Sequence, residues 1–553
     1  METSHVPGGD AAQRSALWRW FDKNILELGR EMRLSYLPPL MVYMAAGISG
    51  LTNVVGTFFV KDYLGLSAAV LAALAFWAGI PWALKMPVGH LVDLIWRWKS
   101  LLVYLGASLI AASLFIVVGL LTERAAMEAV MPAEAWYVVS VLLAPIGYVV
   151  QDAVADAMTV DAVPRVDAAG NPIDAAQRKL MHTTMQTLGR VAIIGGSVLV
   201  ALIGLSMLAG VQNLPKNEAV LVYRNVYLAA LSIPVISVLG VLIAAVLAAR
   251  DRRRLVAQGV AEGEARRMLA GVEERPAPNW WILGGSLVFV IFTATIGLGG
   301  FRFKEEIVFA GSFAIVAFLV WRLTRELDPE SRETLVGTAL VIFIFRAMPT
   351  AGPGVEWWMI DTLRFDETFF SVLNLVAAAL TLAGMFIFRR FMADHSITYV
   401  VGVLTVCGTV LALPYIAMFH GFHEWTARVT GGVVDARFIA LVNTAAESPL
   451  GQIAMIPMLA WIARSAPVNL KATYFAVMAS FTNLALSLGQ LGTKYLNQIY
   501  VVTREVKDPS TGAVRVEANY SDLGELLLVQ VAIGLALPFA AIFLARLARL
   551  RTA

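Results

Sequence analysis

Long apolar runs recur from one end of the chain to the other, and their length is what most limits the possible folds. A helix needs about 20 apolar residues to cross a bilayer, and only helices or closed barrels satisfy their backbone hydrogen bonds there. Hydrophobic residues make up 58% of the 553 positions and charged residues only 15%. The sequence therefore predicts an all-α polytopic membrane protein. Fourteen spanning runs lie between charged or turn-rich breaks: 36–60, 66–91, 100–122, 133–160, 180–210, 220–249, 280–299, 306–323, 334–360, 366–391, 397–418, 435–463, 470–500 and 521–549.

These runs fall into two groups of six, whose spans we number one to twelve in chain order, with an unnumbered pair between them. The groups occupy 36–250 and 334–553 and are nearly equal in length, which is typical of carriers built from two structural repeats. A cytoplasmic linker at 251–279 and an inserted transmembrane helix pair with its loop at 280–333 separate them. Residues 1–35 mix aromatic and basic side chains, which favours an amphipathic helix on the cytoplasmic membrane surface over a solvated tail.

Basic residues are distributed unevenly between the two sides of this arrangement. Most of the 43 Lys and Arg residues fall in the N-terminal segment, the linker, the C-terminus and alternate short loops. Because positively charged loops stay on the cytoplasmic side, both termini are expected to be cytoplasmic. The expected location is a bacterial inner membrane.

Several functional classes are disfavoured by composition. The net charge of +3 does not indicate a nucleic-acid partner, and the single cysteine, Cys407, excludes an intrachain disulfide and a cysteine cluster for metal. An intramembrane enzyme is not expected, because no HExxH or GxSxG run occurs and the six histidines are scattered. The sequence predicts no cofactor and no bound metal.

Two carboxylates occupy the fourth apolar run, in the stretch GYVVQDAVADAMTVDAVPR. Asp152 and Asp156 are four residues apart, so they share one helix face, and that face must point at protein or water. Arg190 in the fifth run is expected at the depth of Asp152. One hypothesis is a structural ion pair between Asp152 and Arg190, with Asp156 as a titrating group. The alternative is a proton or substrate relay that uses all three residues.

A second group of charges lies in the C-terminal half. Arg346 and Glu447 both come near the midplane of their spans and are expected to face each other across a cavity. The stretch FRAMPTAGPGVEWW predicts an interrupted helix beside Arg346, which membrane proteins tolerate where backbone lines a cavity. The alternative is that Arg346 extends to an interface from a helix that ends early. Trp357 and Trp358 are typical of an interfacial belt, or of a platform for a planar ligand.

Two lysines also fall within apolar runs. Lys85 lies near the inner end of span two and Lys494 near the outer end of span eleven. A long Lys side chain near a helix end can carry its ammonium to the membrane surface while its methylenes stay in the apolar region. Both lysines are therefore expected to snorkel.

The boundary of the second run carries a recognisable loop. The stretch IPWALKMPVGHLVDLIWRWKS places Gly89 and Asp93 four residues apart, just before Arg97. This resembles the signature gating loop of the major facilitator superfamily, although Leu94 and Trp96 stand where that loop usually has a basic residue and a glycine. The loop therefore matches the superfamily in part.

Three further stretches resemble one family of that superfamily, the folate-biopterin transporters. They are PIGYVVQDAVADAMTVD, MPTAGPGVEWWMIDTLRFDETFF and ESPLGQIAMIPMLAWIARSAPVNLKATYFAVMASFTNLALSLGQL. The QDxxxDA pattern is also similar to the muropeptide permease and acetyl-CoA transporter branches. The resemblance covers most of both halves but not the inserted pair 280–323.

This resemblance implies two six-helix halves that rock around a central cavity lined by spans one, four, seven and ten. Members are often driven by protons. A planar, aromatic anion of the folate type would suit Arg346 with Trp357 or Trp358, while Asp152 and Asp156 would exchange protons.

The leading functional hypothesis is a secondary active transporter, a symporter that moves a small organic anion. The alternatives are a non-transporting assembly or receptor protein on the same fold, and a permease of the muropeptide or acyl-carrier type. The expected partners are a small-molecule substrate, protons and the lipid bilayer, and the protein is expected to be monomeric. The inserted pair is expected to form a lipid-facing hairpin whose deletion leaves transport largely intact, with a partner-docking surface as the alternative.

Overall fold

Nearly all of the described chain is helical. The computed structural model describes residues 27–552, except 65, 84, 96–97, 165, 167–170, 172, 270–277, 279, 300, 326–327, 389–390, 392–393, 452, 454–470 and 508–513. Within these ranges nine helices are long and apolar enough to cross a membrane, and a shorter apolar helix covers Leu283–Gly297. The prediction of an all-α polytopic membrane protein is confirmed, whereas the number of fourteen spans stays a prediction. The expected amphipathic helix within 1–35 lies largely outside the described residues.

The N-terminal half, defined here as 34–257, is a bundle of antiparallel helices. Short 3₁₀ turns at Leu34–Tyr36 and Ser49–Thr52 flank the first of its long helices. A short helix precedes the half and a polar helix follows it. In chain order the helices are α1 Glu27–Arg30, α2 Leu37–Ile48, α3 Asn53–Tyr63, α4 Ala68–Ala83, α5 Lys85–Leu94, α6 Lys99–Thr122, α7 Arg124–Glu128, α8 Ala133–Ala162, α9 Ala175–Met207, α10 Lys216–Ala230, α11 Ser232–Ala257 and α12 Glu262–Leu269.

The central pair and the C-terminal half, defined here as 329–547, continue in the same way. A small antiparallel hairpin lies before the last helix. The elements are α13 Trp280–Leu298, α14 Lys304–Thr324, α15 Pro329–Arg346, α16 Gly354–Asp361, α17 Glu367–Ile387, α18 Ile397–Phe419, α19 Phe422–Val429, α20 Ala436–Glu447, α21 Lys471–Ile499, β1 Val506–Lys507, β2 Val514–Val516 and α22 Leu523–Leu547.

Side-chain caps define the start of several helices in the C-terminal half. Asp328, Asp366, Ser396 and Asp435 each accept a hydrogen bond from the backbone N–H three residues later, which satisfies one of the free donors of a helix N-terminus. The bond from Ser331 also lowers the pKa of the exposed Asp328 carboxyl. The polar residues between apolar runs therefore determine where the helices begin.

The β-hairpin is a feature that the apolar pattern did not predict. Val506 lies opposite Val516 and Lys507 opposite Val514, and a bridge between Thr503 and Asn519 extends the pairing. The sequence between the strands, DPSTGA, is rich in turn residues, and β-branched residues favour strands. The hairpin belongs to the loop 500–522 that joins α21 to α22.

Close helix packing in the N-terminal half depends on glycine. A Cβ added at Gly147 of α8 would lie 2.6 Å from the carbonyl oxygen of Gly106 in α6, and the reverse distance is the same. Small residues at a crossing point let two membrane helices approach until their backbones touch. This crossing fixes α8, which carries Asp152 and Asp156, against α6.

The two halves meet along helices that come from both of them. Helix α4 packs against α21, and α9 packs against α17. The amide of Asn483 in α21 donates to the carbonyl oxygen of Trp82 in α4 at 3.2 Å. These two helix pairs make the most extensive contacts between the halves, and α21 also contacts α5.

The predicted interruption near Arg346 is confirmed. Helix α15 ends at Arg346 and α16 begins at Gly354, with Gly352 between them at a φ of 78°. Helix α21 supplies partners for the freed backbone: the Thr350 N–H donates to Thr493 Oγ1 at 2.9 Å, and Asn497 Nδ2 donates to the Ala351 carbonyl at 3.1 Å. Irregular backbone at this position is therefore supported by side chains of a neighbouring helix, as membrane-buried backbone requires.

The inserted pair lies beside the bundle, but it is attached by charges as well as by apolar surface. Helix α13 exposes large apolar side chains such as Leu287 and Ile291, as a lipid-facing helix would. Helix α14 packs against α21 and α4. Lys494 of α21, expected to snorkel, instead forms ion pairs with Glu305 at 3.3 Å and Glu306 at 3.1 Å.

Glu305 also connects α14 to the N-terminal half. Its carboxylate accepts a hydrogen bond from the indole N–H of Trp77 in α4 at 3.1 Å, and the hydroxyl of Tyr495 bonds Glu306. A carboxylate inside the membrane needs such partners, because hydrocarbon offers none. Helix α14 is therefore attached to the bundle by polar contacts, and the expectation of a lipid-facing hairpin stays a prediction.

We expect Lys494→Ala to destabilise the protein by about 2 kcal/mol, because it removes the only cation paired with the buried Glu305 in the described part of the chain. Unfolding of the purified protein in detergent measures this change. Arg124→Ala is the matched control, since Arg124 pairs with Glu128 on the exposed surface and such pairs contribute about 0.5 kcal/mol or less. Equal losses in the two variants would contradict the structural role of Lys494.

Candidate functional site

The rotation of α8 is set by a buried glutamine next to Asp152. Gln151 is 3% exposed; its Nε2 donates to the Val103 carbonyl of α6 at 3.2 Å, and Ser237 Oγ of α11 donates to its Oε1 at 3.0 Å. With both ends of the amide bound, this face of α8 is held against α6 and α11. Asp152 and Asp156 consequently face other helices of the same half.

A cluster of four side chains forms where α2, α5 and α8 meet. The ammonium of Lys85 lies 2.6 Å from Asp152 Oδ2 and 2.8 Å from Asp156 Oδ2. The hydroxyl of Tyr43 donates to Asp156 Oδ1 at 2.6 Å. The Asp156 side chain is 44% exposed, whereas that of Asp152 is 15% exposed. One lysine therefore pairs with two carboxylates. The more exposed of the two, that of Asp156, also accepts a hydrogen bond from Tyr43.

The expected pairing of Asp152 with Arg190 is wrong in this structure. Asp152 binds Lys85 instead, and among the described residues no ion pair joins Asp152 to Arg190. Arg190 is close enough to interact electrostatically with Asp152 and with Tyr43. The expectation that Lys85 snorkels is also wrong, because its ammonium turns inward to the two carboxylates, where a direct ion pair offsets the cost of an unpaired carboxylate in the membrane.

Arg346 is the second element of the candidate site. It is the last residue of α15 and is partly buried, and its Nε donates to the Thr482 carbonyl of α21 at 3.3 Å. In the part of the chain that the structure describes, no carboxylate lies within ion-pair distance of its guanidinium. A guanidinium carries five N–H donors in a planar fork, so most of its capacity is available to an anion.

Glu447 is not the partner of Arg346 in this structure. It is the last residue of α20 and is exposed, and the described ranges contain no ion pair that includes it. Nearby in the same helix, Asn443 is 4% exposed. The expected interaction of Arg346 with Glu447 across a cavity is therefore absent from the described residues.

The two tryptophans lie inside the protein. Trp357 is 1% exposed and lies under the guanidinium of Arg504 at 4.5 Å, and Trp358 is 3% exposed and lies 5.8 Å from the ring of Phe419. Neither the membrane-belt interpretation nor the ligand-platform interpretation matches this placement. Their rings stabilise the segment after the interruption of span seven.

Only part of the signature loop is described. Gly89 lies in α5 with no heavy atom within 4 Å of an added Cβ. Asp93 belongs to the same helix, but its side chain is outside the described residues, as is all of Arg97. The role of Gly89, Asp93 and Arg97 in gating therefore stays a prediction.

Sequence reasoning missed two residues of the cluster, Lys85 and Tyr43. A signal for Lys85 was present, because an intramembrane lysine within the apolar run IPWALKMPV is costly unless a partner is near. Tyr43 had no comparable signal, since tyrosine is common in apolar helices and its role depends on where its hydroxyl points.

Comparison with known proteins agrees with this architecture. The BT1 family model matches residues 331–551. The folate-biopterin transporter of Synechocystis sp. is 22% identical over 489 residues, which cover 87% of this chain and 78% of that protein.

Solved structures show the same fold at low sequence identity. A peptide transporter of the POT group in complex with alafosfalin is 14% identical, with a TM-score of 0.57, and the alignment covers 94% of this chain and 96% of that one. The nucleoside transporter NupG is 12% identical, with a TM-score of 0.53, over 92% of this chain and 99% of that one. The chain is therefore a multi-pass membrane protein that shares the fold of these solved transporters, and it is similar to the BT1 family over residues 331–551 and to a folate-biopterin transporter.

Proposed function

We propose that this protein is a secondary active transporter that moves a small organic anion by alternating access and couples this movement to protons. The observation that carries the anion preference is Arg346, a partly buried guanidinium with one carbonyl contact and no carboxylate partner in the described part of the chain. An unpaired cation at membrane depth is costly, so it marks a functional site by default.

The position of Arg346 supports this role. It lies where span seven is interrupted, and broken helices at membrane depth occur where they line a cavity or bind a substrate. Guanidinium groups bind carboxylates and phosphates in a bidentate manner. A substrate that brings its own negative charge would supply the missing partner.

One similar protein supports a narrower proposal. That relative is a folate-biopterin transporter, so pterins and folates are the first compounds to test. Folates combine a flat heterocycle with carboxylates, and the carboxylates would be bound by Arg346. The orientation follows the distribution of basic residues, with both termini in the cytoplasm.

The cluster of Lys85, Asp152 and Asp156 is the proposed proton-coupling site. Two carboxylates share one ammonium, that of Lys85, which pairs directly with both of them. A movement of α5 relative to α8 would separate Lys85 from Asp156, and a proton would then replace the lysine as the neutralising charge. Asp156 is the more exposed of the two carboxylates and therefore the better placed to exchange a proton with water.

Transport in proteoliposomes tests the function. We expect exchange of labelled folate or a pterin across the membrane in vesicles that contain the protein, and not in vesicles that contain the Arg346→Ala variant. Arg124→Ala, on the exposed surface, should behave as the parent does. If no pterin, folate or other organic anion moves under any gradient while the protein co-purifies with a partner, the assembly or receptor alternative is favoured.

We expect Asp156→Asn to separate coupling from substrate movement. The amide keeps a hydrogen-bonding group near Tyr43 but cannot take up a proton, so accumulation driven by a pH gradient should fall to the level without a gradient. Exchange at equal pH on both sides should persist, since it needs no net proton movement. Both are measured in the same vesicles, and retained gradient-driven accumulation would remove Asp156 from the coupling site.

A further inference from the structure

One end of the bundle is closed by polar contacts between the two halves. The described residues at this end lie in 61–64, 66–67, 347–366, 500–507 and 514–522, and we call it the sealed end. Arg504, in the loop between α21 and the β-hairpin, is only 2% exposed. An arginine is rarely so buried unless its donors are used.

All three nitrogens of Arg504 bond the backbone of the opposite half. Nε donates to the Lys61 carbonyl at 2.7 Å, Nη1 donates to the Leu66 carbonyl at 2.8 Å, and Nη2 donates to the Leu64 carbonyl. Arg504 belongs to the C-terminal half, whereas these carbonyls belong to the last turn of α3 and to the residues between α3 and α4. One side chain therefore joins the halves through three hydrogen bonds.

The local structure explains why these carbonyls accept an arginine. Lys61 lies in the last turn of α3, which ends at Tyr63, and carbonyls of a last turn accept hydrogen bonds from outside the helix. The C-terminus of a helix also attracts positive charge. Arg504 supplies both hydrogen-bond donors and a positive charge at this helix end.

The C-terminal half holds Arg504 in position from the other side. Its guanidinium lies over the ring of Trp357 in α16, 4.5 Å from the centroid, and Trp357 is itself buried. A guanidinium stacked on tryptophan is favourable and limits the side chain to one orientation.

Weaker links between the halves surround this residue. Each joins an acidic side chain of the C-terminal half to a donor of the N-terminal half. They are Thr57 with Glu356 at 3.1 Å, Lys61 with Asp361 at 2.7 Å, and Tyr223 with Glu367 at 2.5 Å. The hydroxyl of Tyr520 also donates to Asp361, from the same loop as Arg504.

We propose that Arg504 is the central residue of a latch that keeps the sealed end shut, and that its three bonds must break before this end of the transport pathway opens. The proposal rests on the proposed function, since alternating access requires each end of the cavity to open in turn. Because Arg504 makes more bonds between the halves than any of the surrounding links, its loss should shift the population toward the form open at this end.

A thiol-labelling experiment tests the latch without measuring transport. Ser371 of α17 is 1% exposed, and its hydroxyl lies 3.2 Å from the position of an added Cβ on Gly204 in α9. It is therefore covered by the opposite half, one turn below the sealed end. The parent for the test carries Cys407→Ser and Ser371→Cys, and a charged maleimide is added to the purified protein in detergent, where both ends of the bundle are accessible.

We expect Arg504→Ala in this background to accelerate labelling at least about tenfold, because loss of even one charge-assisted hydrogen bond shifts an equilibrium by that order. Arg504→Lys keeps the charge but not the three-way geometry and should give an intermediate rate. Gel filtration verifies that each variant is folded. If Arg504→Ala does not fold, the labelling rate of Arg504→Lys tests the latch in its place: a rate above that of the parent supports the latch, and the parent rate overturns it.

Arg437 provides the matched control. It donates to the Arg364 carbonyl, pairs with Asp366 at 2.7 Å and lies over the ring of Phe369, all within the C-terminal half. Arg437→Ala should label at the parent rate. The latch would be overturned if the Arg504 variants were labelled at the same rate as the parent. It would also be overturned if Arg437→Ala accelerated labelling as much as Arg504→Ala does.

The same data separate the latch from the proposed function. A protein that moves no solute but shows the expected labelling pattern would refute transport and leave the latch intact. A protein that transports solute while its Arg504 variants label at the parent rate would refute the latch alone.

Discussion

Arg346→Ala should abolish substrate binding while the protein remains folded. In this structure Arg346 has one carbonyl contact and no described carboxylate partner, so its removal leaves no unpaired acid behind. Truncating one partner of a buried charge pair costs about 2 to 5 kcal/mol of binding, which corresponds to a loss of affinity of at least about 30-fold. A thermal-shift titration of the purified protein with folates and pterins measures affinity and folding together.

Arg346→Lys sharpens this test. Lysine keeps the positive charge but cannot bind an anion through two parallel hydrogen bonds, so its affinity should fall between those of the parent and the alanine variant. A loss of affinity in Arg346→Ala with full recovery in Arg346→Lys would indicate a simple charge effect. Parent affinity in both variants would remove Arg346 from the substrate site.

Lys85→Met, unlike Arg346→Ala, should cause a large loss of stability. Its ammonium is the cation that pairs with Asp152 and Asp156, and without it two carboxylates remain in the bundle. Removing one partner of a buried ion pair typically costs about 3 to 5 kcal/mol. Denaturant or thermal unfolding in detergent measures the loss.

A double-mutant cycle identifies the partner of Asp152. We expect Lys85→Met and Asp152→Asn together to cost less than the sum of the two single changes, with a coupling energy of at least about 1 kcal/mol. The cycle of Arg190→Gln with Asp152→Asn is the control and should be additive within about 0.5 kcal/mol. If Arg190 and Asp152 instead showed the larger coupling energy, the hypothesis of a structural ion pair between Asp152 and Arg190 would be supported.

The contrast between Lys85 and Arg346 follows from their charge environments. Lys85 is one cation between two acids, so the protein depends on it for stability. Arg346 is a cation that lacks an acid among the described residues, so under the proposed function its partner would be a bound anion. Both were visible in the sequence as intramembrane charges, but only the structure distinguishes a satisfied charge from an available one.

Most of the helical architecture could be predicted because it is a local property. A run of about 20 apolar residues must be helical in lipid wherever it lies in the chain, and a close cluster of Pro and Gly such as Pro349, Gly352 and Pro353 disfavours a continuous helix. The caps Asp328 and Asp366 likewise act on backbone groups three residues away. Such features depend on short-range chemistry that is present in the sequence.

The pairing of charges could not be predicted because it depends on helix rotation and on long, flexible side chains. Lys85 and Lys494 were expected to snorkel, yet a change of rotamer carries an ammonium several ångströms, and both turn toward carboxylates on other helices. Arg190 and Asp152 were correctly expected to be near each other, but depth alone does not determine which cation reaches the acid. Likewise, the three bonds of Arg504 join positions about 440 residues apart and have no local signal.

The sequence by itself determined that this chain is a bundle of membrane-spanning helices, where span seven is interrupted, and that charges lie inside the membrane, because these follow from the cost of placing polar groups in hydrocarbon. The tertiary structure alone decided that Lys85 binds Asp152 and Asp156, that α14 is attached through Lys494, and that Arg504 joins the two halves. These contacts arise only after the helices pack, since packing fixes the rotation and the distance that allow a hydrogen bond.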